Sequence, residues 1–364
     1  MSGIIFITAV IFLSFNVLAL NGADFAIYTG GGTWEPSITA FKKFLEWKNL
    51  TWEEVNARDI NKKDLKSLYN GIFIQGGWAY DYKRSINSAG NQHIRELIAN
   101  GGAYVGMSAG AYYACDNVVW EGADYPYYLN LFHGDCIGPI NEIAPWPNYV
   151  MTTMNINQTH EANIYEQATE DILYYGEPYF VANSGQEMQT LASWIVPENP
   201  AANGKPGIIG FNYAQGRVLL VGPHPEIEED SDRDGTNFGD ELNDNGSDWP
   251  FLWTAVDWVM KKPISQPPEY VIPQCSDGID NDNDSLIDYP ADLGCLNFED
   301  NDERDPVGPV EIFSDGFETG LTGWTLTAVS GGNKWYIGTT NPYQGSKYAE
   351  SKPMSTTEPA SILE

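Results

Sequence analysis

The stretch Gly101-Gly102-Ala103-Tyr104-Val105-Gly106-Met107-Ser108-Ala109-Gly110-Ala111-Tyr112-Tyr113-Ala114-Cys115 decides how the chain is read. Its centre, Gly106 to Gly110, fits G-x-S-x-G, the pattern of a nucleophile elbow in which a strand ends, the chain turns sharply and a helix begins. Ala103-Tyr104-Val105 reads as a short buried strand, and Ala109 to Ala114 as a helix start. Glycine flanks the serine because strand and helix approach closely and the residue at the tip is strained. Ser108 then sits at a helix N-terminus, where free N–H groups and the dipole favour a developing negative charge. A tight strand-to-helix turn without chemistry fits the same residues, so the decision rests on what lies downstream.

There, Gly216-Arg217-Val218-Leu219-Leu220-Val221-Gly222-Pro223-His224-Pro225-Glu226 delivers a histidine at the end of an apolar strand, with a carboxylate two residues on. A nucleophile needs a base within hydrogen-bond reach, and the base needs a group that holds its tautomer. The proline between them fixes the chain separating base from orienting acid. The chain has only 4 histidines, at 93, 133, 160 and 224, and His224 ends an apolar strand with a glutamate at +2 and an elbow serine earlier in the chain. Ser108, His224 and Glu226 are therefore the candidate triad.

These motifs carry a resemblance. From Asp24 to Met260 the chain resembles the class I glutamine amidotransferase-like superfamily, and within it the biotin-protein ligase N-terminal domain family. Ile72-Phe73-Ile74-Gln75-Gly76-Gly77 is similar to that superfamily's strand and Gly-Gly turn. The resemblance implies an oxyanion hole from backbone N–H groups at Gly76, Gly77 and Ala109. It also implies that Ser108 stands where the amidotransferases carry a cysteine, with His224 and Glu226 as the other triad members. Serine in place of cysteine speaks against ammonia transfer from glutamine. It is instead similar to the peptidase E and cyanophycinase group of serine peptidases, whose triad partners are placed differently.

Around these motifs the pattern alternates strand and helix. Asp24–Tyr28, Trp52–Val55 and Ile72–Gln75 read as strands. Pro36–Asn49 has Ile38, Phe41, Phe44 and Leu45 on one helical face, and Asn91–Asn100 is a helix stopped by Gly101-Gly102. Ile60–Tyr69 reads as a short helix or turn, Ile208–Tyr213 and Arg217–Val221 as a hairpin, and Trp249–Met260 as a closing helix. The fold class expected is α/β: a flavodoxin-like, mostly parallel sheet with helices on both faces and a site at the strands' carboxyl ends. The residues between 118 and 139 are aromatic-rich and resist placement. Tyr127, Tyr128, Phe132 and Trp146 suit either a substrate pocket or core packing.

Residues 1–20 form an apolar run with Val17-Leu18-Ala19 before a cleavage-like site, read as a secretory signal peptide or an N-terminal anchor. Residues 23–262 form the amidotransferase-like unit, and 263–273 a proline-rich linker. Residues 274–306 are an Asp-rich segment of calcium-binding type. Residues 310–364 resemble the opening of a jelly-roll-like β-sandwich module, cut short at Glu364. A secreted or cell-surface setting is expected throughout, with attachment to the cell surface as one role of the later segments.

Two acidic stretches are candidate metal sites. Asp230, Asp232, Asp234 and Glu241 match the calcium-loop pattern, although Asn237 stands where an apolar residue is usual and a strand rather than a helix precedes. Asp280, Asp282, Asp284 and Asp288 alternate between Cys275 and Cys295, resembling thrombospondin type 3 calcium repeats, with Ser285 where glycine is usual. Proximity favours a Cys275–Cys295 disulfide. Cys115 and Cys136 are either a second bridge or two buried thiols.

Composition sets the outer bounds. A net charge of −31 over 364 residues excludes nucleic acid, whose phosphates need clustered Lys and Arg. No P-loop or dinucleotide-binding pattern follows Thr29-Gly30-Gly31-Gly32-Thr33, so calcium is the cofactor expected and no organic one. The leading expectation is a secreted serine hydrolase-like protein acting on an amide or peptide bond. The alternative is a catalytically inactive scaffold with a calcium-dependent extracellular binding role. A true glutamine amidotransferase is disfavoured by Ser108 and by the N-terminal apolar run.

Overall fold

The structure is a computed structural model. It describes residues 22–229, 231–243 and 246–268, parts of 274–304, and the backbone of four short strands beyond 325. The expected signal peptide and Asp230 lie outside the described residues, as does most of the 310–364 module. Of that module, Leu326–Ala328 pairs with Ser361–Leu363 and Trp335–Gly338 with Tyr348–Ser351, both antiparallel.

The first half of the unit alternates as its periodicity predicts. Strand β1 (Phe25–Tyr28) leads to α1 (Glu35–Trp47), β2 (Trp52–Val55), α2 (Ala57–Lys62) and β3 (Gly71–Ile74). Then come α3 (Ala79–Ser85), α4 (Ser88–Ala99), β4 (Ala103–Met107) and α5 (Ala109–Ala114). Helix α4 starts three residues before the first expected position, because the Asn87 side chain accepts from the N–H groups of Ala89 and Gly90 and caps it there. Helix α3 was not legible; its seven residues carry no apolar periodicity.

After α5 the aromatic-rich segment forms β5 (Cys115–Trp120), β6 (Ala123–Pro126) and β7 (Phe132–Gly138). Next are β8 (Val150–Ile156), β9 (Thr169–Tyr174), β10 (Tyr179–Ala182), β11 (Gln189–Trp194), β12 (Pro206–Tyr213) and β13 (Gly216–Val221), then α6 (Trp249–Val259). A nine-stranded sheet has the order β2-β1-β3-β4-β13-β12-β11-β8-β9. From β2 to β13 it is parallel, and from β13 to β9 antiparallel. A second sheet, β10-β7-β5-β6, is pinned by a disulfide between Cys115 and Cys136, which decides that pair as a bridge. Cys275 and Cys295 are likewise joined.

The parallel strands are buried on both faces, as near-continuous apolar runs require. Side chains alternate between two cores. Phe25, Ile27, Phe73, Val105 and Leu219 face one, with α1 and α6. Ala26, Tyr28, Ile72, Tyr104 and Leu220 face the other, with α2, α4 and α5. Phe41 of α1 stacks on Phe73 of β3 with centroids 3.7 Å apart. Burying each such ring contributes about 1.5–3 kcal/mol. Just beyond α1, Lys48 reaches Asp257 of α6 at 2.7 Å and covers the Trp253 ring at 3.7 Å. Burial lowers the Lys48 pKa to about 8 against the opposing pull of Asp257. Among the described residues no helix is long and apolar enough to cross a membrane.

Candidate active site

Four parallel strands, β1, β3, β4 and β13, end at the same edge of the sheet, where loops converge. The register pairs Met107 with Val221, so Ser108 leaves β4 beside the end of β13 and its N–H donates to Val221 O at 2.8 Å. His224 lies three residues past that strand end. Both side chains line one cavity of about 500 Å³.

The elbow explains its glycines. A Cβ on Gly110 would lie 1.8 Å from Ile74 O, and one on Gly106 would lie 2.6 Å from Gly110 O, so only glycine lets α5 sit against β3 and β4. The backbone tightens at Ser108, with φ 47° and ψ −107°, a conformation natural to glycine and strained for serine. Its hydroxyl caps nothing and faces the cavity.

His224 is almost fully buried. Nδ1 is 2.8 Å from Glu226 Oε1, and the Ser37 hydroxyl donates to that same oxygen at 2.5 Å. Trp34 packs edge-on against the imidazole, with centroids 4.9 Å apart, and excludes water from that side. The opposite nitrogen, Nε2, is 3.1 Å from Glu177 Oε1, an ion-pair contact off the direction of a good hydrogen bond. No hydrogen bond joins Ser108 to His224 among the described residues. Burial by itself lowers the His224 pKa, but the charges of Glu226 and Glu177 outweigh it and push it up to about 10. Glu177 is itself raised by burial, with His224 opposing. At neutral pH these two acids hold the ring largely as the imidazolium.

The Gly-Gly turn divides the expected oxyanion donors. The Gly76 N–H donates to Ser37 Oγ at 3.2 Å and is committed, so Gly76 departs from its expected role. Its small size still matters, because a Cβ there would lie 2.6 Å from the His224 ring. Among the described residues no acceptor engages the N–H groups of Gly77 or Ala109. The second of these is the first N–H of α5, which helix geometry leaves free.

Of the metal candidates, Asp280, Asp282 and Asp284 converge, with carboxylate oxygens within 4.8 Å of one another. Asp288 stands outside that group, and its carboxylate accepts from Gly278 N at 2.9 Å. The earlier loop departs from expectation: Asp232, Asp234 and Glu241 do not gather. Asp234 is buried and accepts from the N–H groups of Glu228 and Thr236 at 3.1 and 2.9 Å, and burial raises its pKa to about 8. Glu241 is held by the Tyr149 hydroxyl.

Sequence reasoning passed over Glu177, Ser37 and Trp34. Glu177 had a signal: one acid inside Tyr174-Tyr175-Gly176-Glu177-Pro178-Tyr179, where burial demands a partner. The pocket candidates divide. Tyr127 and Trp146 line the cavity, Tyr128 is exposed outside it, and Phe132 packs in the core against Phe180 and Phe211.

The model of the family described as "Biotin-protein ligase, N terminal" matches residues 23–245, well over half of the chain. No curated protein matches in sequence. Among solved structures, a glutamine amidotransferase is 16% identical, over 56% of this chain and 90% of that one, with a TM-score of 0.40. A protein described as ThuA-like, from Bacteroides uniformis, is 16% identical over 68% and 96%, with a TM-score of 0.42. One described as a GMP synthase protein, from Thermoplasma acidophilum, is 14% identical over 56% and 84%, with a TM-score of 0.38.

Proposed function

The chain belongs to the biotin-protein ligase N-terminal family, and from that premise we propose that it is a serine hydrolase-like protein acting on an amide or peptide bond. Ser108 is the nucleophile, His224 the base and Glu226 the group that orients it. One observation carries the reading: a hydroxyl at a strained elbow, free of any capping role, shares a cavity with a histidine that is held by a buried carboxylate.

In this mechanism Ser108 Oγ attacks the carbonyl carbon and its proton passes to His224 Nε2. The N–H groups of Gly77 and Ala109 receive the tetrahedral oxyanion. Collapse expels the amine with the proton from His224, and water then repeats the sequence to release the acid. Before the first step His224 has to give up a proton and turn Nε2 from Glu177 to Ser108. A secreted setting suits this reading, since the two disulfides are compatible with an extracellular protein.

The Glu177 contact favours a second reading, in which the site binds without reacting, because an imidazolium cannot accept the serine proton. Labelling with a fluorophosphonate probe separates the two. Under the hydrolase reading the folded protein takes up one probe, on the peptide that contains Ser108. A folded sample that stays unlabelled from pH 6 to 10 would return the domain to the scaffold role.

For the Asp-rich loop the proposed occupant is calcium, held by Asp280, Asp282 and Asp284, whose hard oxygen donors suit that ion. Calcium at about millimolar concentration, the range of extracellular modules, is expected to raise the unfolding temperature of the native protein. Asp282→Asn should remove the rise, and an unchanged native melting curve would refute the assignment.

A further inference from the structure

The cavity beside Ser108 is walled by aromatic rings. Trp78, Trp120 and Trp146 form a triangle with centroid separations of 5.8, 5.8 and 6.2 Å. Trp146 stacks on Tyr175 at 4.8 Å, and Tyr112 meets Trp120 edge-on at 5.7 Å. The Tyr112 hydroxyl is committed, donating to Gly176 O at 3.0 Å, so that ring offers its apolar face. Among the described residues no lysine, arginine, aspartate or glutamate lines the cavity. At the mouth, Trp78, Tyr80 and Tyr125 are 44%, 47% and 41% exposed. Large rings left in water around a concave site whose walls carry none of these charges mark a place where apolar surface is to be covered.

We propose that this cavity is a specificity pocket for a large aromatic side chain of the substrate, seated beside the bond that reaches Ser108. The pocket deepens the hydrolase reading and rests on it for the position of that bond, but not for binding. Three classes of side chain compete for the space. A cationic one would lose its water with no carboxylate in the described walls to meet it, and an anionic one would find only the His224 ring, whose charge is already met by Glu226 and Glu177. A cation meets a further obstacle, because the protein's own cations already cover the outer tyrosines. Lys83 Nζ lies 5.1 Å from the Tyr127 ring and 4.9 Å from Tyr128, and the Arg84 guanidinium lies 5.8 Å from Tyr80. A small side chain would leave most of the roughly 500 Å³ unfilled and the tryptophan faces without partner atoms. Of the three classes an aromatic side chain takes up the largest share of that volume, and it finds edges and faces already set at the tilts that aromatic pairs prefer.

The test is calorimetric titration of the full chain carrying Ser108→Ala, so that binding is read without turnover. The ligands are end-blocked pentapeptides with glycine at four positions and phenylalanine, alanine or lysine at the centre. The phenylalanine peptide is expected to bind at least about tenfold more tightly than the alanine peptide, and the lysine peptide no better than alanine. Trp120→Ala in the same background should abolish the discrimination. Trp78→Ala, at an exposed rim position, serves the same purpose should the change at the partly buried Trp120 prevent folding. Equal binding of the three peptides, or tightest binding of the lysine peptide, would overturn the pocket assignment. Aromatic selectivity in a protein that takes up no fluorophosphonate would uphold the pocket and sink the hydrolase reading alone.

Discussion

Ser108→Gly is expected to lose all fluorophosphonate labelling and to unfold at a higher temperature than the native protein, whereas Ser108→Ala loses the labelling without that gain. At φ 47° and ψ −107° a side chain crowds its own peptide groups. Such a conformation costs about 1–3 kcal/mol for a residue with a Cβ. Glycine adopts it freely, but its greater freedom in the unfolded chain costs about 0.5–1 kcal/mol. The net gain is about 1 kcal/mol, worth about 2–4 °C for a domain of this size. No capping bond is lost in exchange, since the hydroxyl caps nothing. Alanine keeps the Cβ and hence the strain. Paired melting curves and probe labelling check both halves. A glycine variant less stable than the alanine one would show that the elbow stores no strain.

Glu177→Gln is expected to speed labelling at neutral pH and to move the midpoint of its pH profile downward. A base must be neutral to accept the serine proton. With His224 pushed up to about 10, roughly one ring in a thousand is neutral at pH 7. Removing one adjacent opposite charge moves a pKa by about 1–3 units, so labelling at pH 7 should rise about tenfold or more. The amide keeps the acceptor that Glu177 offers to Tyr175 N and can point its N–H at an unprotonated Nε2. Stability responds in the matching sense. A histidine raised from 6.5 to about 10 lends stability that is fully present below pH 6.5 and is lost as pH rises through about 10. The native protein should therefore weaken between those values, and the variant should start lower and weaken less. An unchanged midpoint would mean that Glu177 does not control the ring.

Much of the frame was legible because it is written locally. The apolar runs at Phe25–Tyr28, Gly71–Ile74 and Gly216–Val221 can only be buried strands, and the spacing of Ile38, Phe41 and Phe44 can only be one helical face. The segment 115–139 was not legible, since strand residues and pocket residues there are both aromatic and share no period. Helix α3 is too short and too polar to declare itself.

What the sequence by itself determined is the parallel core, the glycine-flanked elbow at Ser108 and the histidine delivered by the last parallel strand. Each of these is a statement about backbone conformation, which neighbours in the chain control. What only the tertiary structure decided is the company those groups keep. Ser37 reaches Glu226 across 189 positions and takes the N–H of Gly76, and Glu177 comes to Nε2 of His224. Cys115 finds Cys136, and Trp146 joins Trp78 and Trp120 around the cavity. Partners so far apart in the chain are chosen by packing and by the need to pair charge away from water, and no local pattern records that choice.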